Sequence, residues 1–201
     1  MADCGCHGEA HNQAQRRVLV GLLLINLGMF GIEAWAGLWA QSTALMADSL
    51  DMLADAVVYG LSLYAVGRAA VQKYRAAFLS GIFQITLAGL VLADVLRRFW
   101  LGSEPRSGLI MAVGGLALMA NLICLTLIAK HRQGEIHMRA SWIFSRNDVI
   151  ANLSVIVAGG LVAISQSPIP DLVIGCGLVL LVLWGGFSIL RDARRRINPQ
   201  A

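Results

Sequence analysis

Six apolar segments follow one another along this chain, each on the order of twenty residues long. A helix of that length crosses the hydrocarbon core of a bilayer, and backbone polar groups cannot stay unpaired in lipid. The segments therefore predict an all-α fold, a polytopic membrane protein built as a six-transmembrane-helix bundle. They are Val18–Ala40, Ala44–Val66, Ala76–Leu96, Gly108–Ala129, Trp142–Ile164 and Leu172–Leu190.

The composition excludes an ordinary soluble domain. Hydrophobic residues make up 57% of the chain and charged residues only 14%, against roughly 25% charged in a typical soluble protein. The connections between segments are short, and two carry the breaker sequences GSEP and QSPIPD. No run of Lys and Arg with interleaved aromatic residues indicates a nucleic-acid partner.

The distribution of Lys and Arg predicts the orientation. Of the 16 basic residues, three (Arg97, Arg98 and Arg106) lie on one side of the predicted membrane and one, Arg146, falls inside the fifth segment. The others lie on the opposite side, together with both chain ends. Because cytoplasmic loops carry the excess of Lys and Arg, we expect both termini in the cytoplasm and the protein in the cell (inner) membrane.

Two polar tails flank the membrane domain, which we place at residues 18–192. The tail at 1–17 lacks the features of a signal peptide and is predicted to be cytosolic. Its Cys4, Cys6, His7 and His11 either bind a soft metal ion or belong to a disordered segment. The tail at 193–201 is short and basic, and we expect no soluble domain after the sixth helix.

Three aspartates in the stretch ADSLDMLAD are the most informative residues. Asp48, Asp51 and Asp55 are offset by three, four and seven positions, so they share one face of the second helix. A carboxylate at membrane depth costs several kcal/mol unless it is paired, protonated, hydrated or metal-bound. Three like charges at this spacing also repel one another, so a functional role is predicted for the stripe.

The fifth segment repeats these offsets with Ser145, Asp148 and Asn152. If the second and fifth helices face each other, their carboxylate, amide and hydroxyl oxygens converge, and such oxygens are hard ligands for a divalent cation. Antiparallel placement puts Asp55 and Asn152 near mid-membrane, with Asp148 about one turn nearer the cytoplasm. The sequence therefore predicts a metal site between these two helices.

Other intramembrane features have structural interpretations. Asp94 precedes Arg97 and Arg98 near the end of the third segment and is predicted to pair with them. Glu33 in the first segment either faces the site or stabilises packing. We expect Gly159 and Gly160, and likewise Gly185 and Gly186, to allow close approach of helices. Cys124 and Cys176 lie in apolar runs and are predicted to be small core residues.

These motifs resemble the cation diffusion facilitator family of divalent-metal transporters. STALMADSLDMLAD fits the family pattern S-x-A-[LM]-x-A-D-x-x-[HD]-x-x-x-D, and INLGMFGIEAWAG, YRAAF, Asn121 and RASWIFSRND are in register. The resemblance covers residues 18–192. It implies a six-helix transporter, usually dimeric, that exports zinc or a similar cation in exchange for protons.

The resemblance also implies a ligand set. Carried over, the family's four site positions are Asp51, Asp55, Phe144 and Asp148. Phe144 stands where the family usually has His, so the membrane region holds no histidine; His131 and His137 lie in a cytoplasmic loop. Asp48 and Asn152 are the candidates to complete the metal shell, with Ser145 and Asn147 as further options. An oxygen-only site favours harder cations such as Mn²⁺ or Fe²⁺, or loosens selectivity.

The predicted function is therefore efflux of a divalent cation (Zn, Cd, Co, Mn or Fe) in exchange for protons. The expected partners are the metal ion, protons, the lipid bilayer and a second copy of the chain. We expect no catalytic residue, no enzyme activity and no cofactor. The alternative is a non-transporting membrane metal sensor or accessory subunit. An intramembrane aspartyl protease is a weaker alternative, because the chain lacks the G-x-G-D signature.

Overall fold

The computed structural model describes the backbone of residues 4–65, 70–129 and 136–197, and the side chains of 16–64, 74, 75, 77–129 and 147–195. Six helices form in these ranges, which confirms the predicted all-α bundle. They are α1 Cys4–Trp39, α2 Thr43–Ala65, α3 Ala70–Leu101, α4 Ser107–Ala129, α5 Ile136–Ser165 and α6 Ile169–Ile197.

Most helices are longer than the apolar segments that predicted them. Helix α3 runs from Ala70 to Leu101, and α6 from Ile169 to Ile197, because helical hydrogen bonding continues past the apolar residues. Within the sequence QSPIPD, only residues 166–168 lie outside a helix. Pro170 lies in the first turn of α6, where the missing N–H of proline costs no helical hydrogen bond.

Helix α2 occupies the centre of the bundle and contacts all five other helices. Around it, α1 packs beside α2, α3 beside α6, and α4 beside α5. Five helices are long and apolar enough to cross a membrane, and α2 is the described helix that is not among them. Its three aspartates account for this difference, and its neighbours shield them from lipid.

Large apolar side chains cover the outside of the bundle. Trp100 is 80% exposed, Ile164 84% and Trp184 72%. A soluble protein of this size rarely exposes so much contiguous apolar surface, whereas a bilayer solvates it. The chain is therefore a multi-pass membrane protein.

Small residues form the core at the end of the bundle where α1 meets α2. Ala36, Ala40, Ala44 and Ala47 are buried there together with Leu45. Between the two helices the chain turns at Gln41, which has a φ of 50°. The loop after α3 crosses this turn, because Arg106 N–H donates to Ala40 O at 2.9 Å. A backbone hydrogen bond thus joins the two loops at this end of the bundle.

Glycines set two of the closest helix contacts. A Cβ on Gly159 would lie 2.9 Å from Met111 Cγ in α4, and one on Gly186 would lie 2.9 Å from Ile85 Cγ1 in α3. These contacts confirm the prediction for Gly159 and Gly186. The prediction is wrong for Gly160, where no atom of the described residues lies within 4 Å of such a Cβ, and at Gly185 the contact is an ordinary 3.7 Å.

Candidate metal site

The aspartate stripe of α2 faces the interior of the bundle. Asp48 is 1% exposed and Asp55 is 7% exposed, and Asp51 between them is half-buried. Because α2 contacts every other helix, an acid on any of its inner positions meets protein rather than lipid. The one-turn spacing thus places three carboxyl groups in a line along the central helix, as the offsets predicted.

Asp55 and Asp148 form the centre of the candidate site. Their carboxyl groups come from α2 and α5 and lie within hydrogen-bonding reach of each other. Asp148 is 7% exposed, like Asp55. Two carboxyl groups approach this closely when a proton or a cation lies between them, since two bare carboxylates repel. The pair can therefore hold either species at the same oxygens.

Tyr59 fixes the orientation of Asp55. Its phenolic O–H donates to Asp55 Oδ2 at 3.3 Å, and the side chain is 1% exposed. Sequence reasoning missed this residue, although it follows Asp55 by four positions and so lies on the same helix face. A hydrogen bond of this kind holds a carboxylate in one rotamer and leaves its other oxygen available.

Asn152 presents an oxygen toward the same interior. Its Nδ2 donates to the backbone O of Asp148 at 2.8 Å, so its orientation is fixed. Its Oδ1 is buried and has no hydrogen-bond partner among the residues with described side chains. A buried amide oxygen without a hydrogen-bond partner is available to a cation.

Asp51 lies beside the pair without completing a three-acid group. It interacts electrostatically with Asp55. Within residues 16–64, 77–129 and 147–195, however, no three or more His, Cys, Asp and Glu side chains are arranged to hold a metal ion. The structure thus brings Asp55, Asp148 and Asn152 to one region, with Asp51 adjacent and only half-buried.

Glu33 and Asp48 form a second acidic region nearer the start of α2. Glu33, from α1, is 0% exposed, and its electrostatic interactions are with Asp48 and Asp51. Both oxygens of each residue are buried and find no hydrogen-bond partner in the described part of the chain. Asp48 therefore lies beside Glu33, and it also interacts electrostatically with Asp148.

Several predicted residues fall outside the described side chains. They are Cys4, Cys6, His7, His11, His131, His137, Phe144 and Ser145. The side chain of Asn147 is described and exposed, so it points away from the buried candidate site. Asp94 pairs with Arg97 and Arg98 as predicted, through Arg97 Nη2–Oδ1 at 2.8 Å and Arg98 Nε–Oδ2.

Asp171 is a buried acid that the sequence did not single out. It is 0% exposed, and its oxygens accept hydrogen bonds from Ser42 Oγ at 2.5 Å, Thr43 N–H at 2.6 Å and Ala44 N–H at 3.3 Å. These donors lie at the start of α2, so Asp171 is a helix cap supplied by another helix. No local signal in QSPIPD identifies this partner.

Comparison with known proteins identifies the family of the chain. The model of the cation efflux transmembrane domain family matches residues 19–197. Zinc transporter ZitB of Escherichia coli is 24% identical over 96% of this chain and 66% of its own length. The cadmium, cobalt and zinc/H(+)-K(+) antiporter of Bacillus velezensis is 21% identical over 92% of this chain and 65% of its length.

A fungal relative matches a shorter region. Vacuolar zinc transporter ZRC1 of Saccharomyces cerevisiae is 28% identical over 59% of this chain and 30% of its own length. The chain spans about two thirds of the length of the bacterial relatives, at 66% and 65%. The family match covers α2 to α6 and α1 from residue 19 onward. The chain therefore belongs to the cation efflux transmembrane domain family.

Proposed function

We propose that this chain exports a divalent metal cation across the inner membrane in exchange for protons. The observation that carries the proposal is the approach of Asp55 on α2 to Asp148 on α5, deep in a membrane bundle. Family membership supports the transport of cations. Relatives whose names include zinc, cadmium and cobalt support a zinc-like substrate.

The chemistry of the pair supports proton coupling. Metal ions bind carboxylates only in the deprotonated form, so binding a metal releases protons. On the cytoplasmic side the pair would lose protons and take up the cation. On the opposite side it would release the cation and become protonated again. Asp51 and Asn152 would supply further oxygens, and the exchange needs no cofactor.

The oxygen ligands set the expected substrate range. Carboxylate and amide oxygens accept Mn²⁺ and Fe²⁺ readily, whereas imidazole and thiolate favour Zn²⁺ and Cd²⁺. With Phe144 at the position where the family usually has histidine, we propose a broader selectivity than that of a histidine-containing site. The family resemblance also leads us to propose a homodimer.

Transport by purified protein tests this proposal. Proteoliposomes would be given Zn²⁺, Cd²⁺, Mn²⁺, Fe²⁺, Co²⁺ or Ni²⁺ under imposed pH gradients, while a metal dye and a pH dye report both fluxes. We expect metal movement with opposite proton movement. Asp55→Asn and Asp148→Asn should lower the metal flux at least tenfold, because each removes one carboxylate from the pair.

The matched control is Glu104→Gln, an exposed acid in the loop between α3 and α4 that should transport normally. Metal flux without proton counterflow at every pH gradient would exclude the exchange and leave transport intact. Absence of flux for all six metals, in folded protein, would exclude transport itself and favour a sensing role.

A further inference from the structure

Glu33 is a buried acid for which the Asp55–Asp148 site gives no role. It lies on α1, is 0% exposed, and both carboxyl oxygens lack a hydrogen-bond partner among the described residues. None of the ion pairs in that part of the chain includes it. A carboxyl group in such surroundings costs several kcal/mol unless something binds to it.

Asp48 is in the same state on the neighbouring helix. It is 1% exposed, and neither of its oxygens has a partner within the described ranges. Among the charges that act on Glu33, that of Asp48 has the largest effect. Two acids from two different helices thus direct four uncommitted oxygens into one region of the α1–α2 interface.

Apolar side chains lie one helical turn from each of these two acids. Met29, Met52 and Ala117 form a buried apolar cluster at the interface of α1, α2 and α4. Arg98, a buried base of α3, donates from its Nε to Asp94, and its Nη1 has no partner among the described residues. Two neighbouring buried acids without a hydrogen-bond partner among the described residues hold either protons or a cation at their oxygens.

The position distinguishes this region from the Asp55–Asp148 pair. Asp48 precedes Asp55 by seven residues, which places it about 10 Å away along the axis of α2. It lies toward Thr43, the end of α2 at which the loops after α1 and α3 meet. A cation moving along α2 from Asp55 to that end passes Asp48.

We propose that Glu33 and Asp48 form a second divalent-cation station, a binding site located between the Asp55–Asp148 pair and the Thr43 end of α2. It would bind a cation through carboxylate oxygens, with water completing the shell. Two stations in series allow an ion that leaves the first site to find carboxylate ligands again before it has to cross apolar protein. This inference rests on the proposed function, because it treats the first site as the place from which the ion comes.

Binding stoichiometry of the full chain in lipid nanodiscs tests the second station. Mn²⁺ would be titrated by equilibrium dialysis into the wild type, Glu33→Gln, Asp48→Asn and Asp55→Asn. We expect two ions per chain for the wild type and one for each variant. Glu104→Gln, which changes an exposed acid in the same way, should keep two.

Pulsed electron paramagnetic resonance gives an independent readout. Two Mn²⁺ ions about 10 Å apart along α2 should show dipolar coupling in the wild type. The coupling should vanish in Glu33→Gln while one bound ion remains, which also shows that the variant is folded.

The two proposals can fail separately. If Glu33→Gln and Asp48→Asn bind as many ions as the wild type, while Asp55→Asn binds fewer, the second station is excluded and the first site stands. If Asp55→Asn also binds as the wild type does, the proposed metal site fails as well.

Discussion

The carboxylate of Asp171, in the first turn of α6, accepts a 2.6 Å hydrogen bond from the backbone N–H of Thr43, the first residue of α2. Its other oxygen accepts from Ser42 Oγ, which in turn accepts from Leu45 N–H at 3.1 Å. The start of the central helix is thus capped from outside. This cap fixes α2 along its axis relative to α6, and so fixes the depth of its aspartates.

Removal of the Asp171 carboxylate should destabilise the bundle. In Asp171→Ala, the Thr43 and Ala44 N–H groups and the Ser42 hydroxyl lose a buried acceptor, which should cost about 2–3 kcal/mol. Thermal unfolding in detergent should show a midpoint several degrees lower. Asp192→Ala is the control on the same helix, because that side chain is 66% exposed. Equal midpoints for the two variants would contradict the capping role.

Gly175 permits the approach that the cap requires. A Cβ at this position would lie 2.6 Å from the Thr43 carbonyl carbon and 2.8 Å from Ala44 N, which are backbone atoms that cannot move aside. Gly175→Ala should therefore destabilise by about 1–3 kcal/mol. Gly177→Ala, whose Cβ would meet no atom of the described part of the chain within 4 Å, should instead stabilise by up to about 1 kcal/mol, because alanine favours helix. Shifts of the unfolding midpoint in opposite directions for the two variants would support this contact, and equal shifts would exclude it.

The sequence predicted what depends on local pattern. The lengths of the apolar segments identified the helices, and the three- and four-residue offsets between the aspartates identified the inner face of α2. The same rule predicted that oxygens of the second and fifth helices converge. It put Asp55 level with Asn152, however, whereas the structure brings Asp55 within hydrogen-bonding reach of Asp148. The charge pairing of Asp94 with Arg97 and Arg98 was predictable because all three lie within one turn of a single helix.

Contacts between distant segments were not predictable. Asp171 lies 128 positions from Thr43, and no periodicity connects a helix start with an acid so far along the chain. Adjacent glycines differ by about 100° around a helix, so Gly159 contacts α4 whereas Gly160 does not. Which acid of α2 lies nearest to Glu33 likewise depends on the rotation of α1 about its axis, which is set by packing such as that of Gly37 against Met46.

Replacement of Asp94 should destabilise the protein more than replacement of Arg97, one of its two partners. The Arg98 side chain is 6% exposed and the Arg97 side chain 61%. Asp94→Ala leaves a buried guanidinium whose Nη1 already lacks a partner among the described residues, so we expect a loss of about 2–3 kcal/mol. Arg97→Ala should cost less than about 1 kcal/mol. Similar unfolding midpoints for the two variants would show that Arg98 does not depend on Asp94.

Tyr59 should tune the affinity of the proposed metal site. Tyr59→Phe keeps the buried ring against Leu19 and Leu22 but removes the O–H that donates to Asp55 Oδ2. If Asp55 is a ligand, loss of this orienting bond should weaken Mn²⁺ or Zn²⁺ binding about tenfold. Calorimetric titration in nanodiscs measures the change, with the exposed Tyr64→Phe on the same helix as the control. Unchanged affinity in Tyr59→Phe, together with a loss of binding in Asp55→Asn, would show that the carboxylate keeps its orientation without the tyrosine.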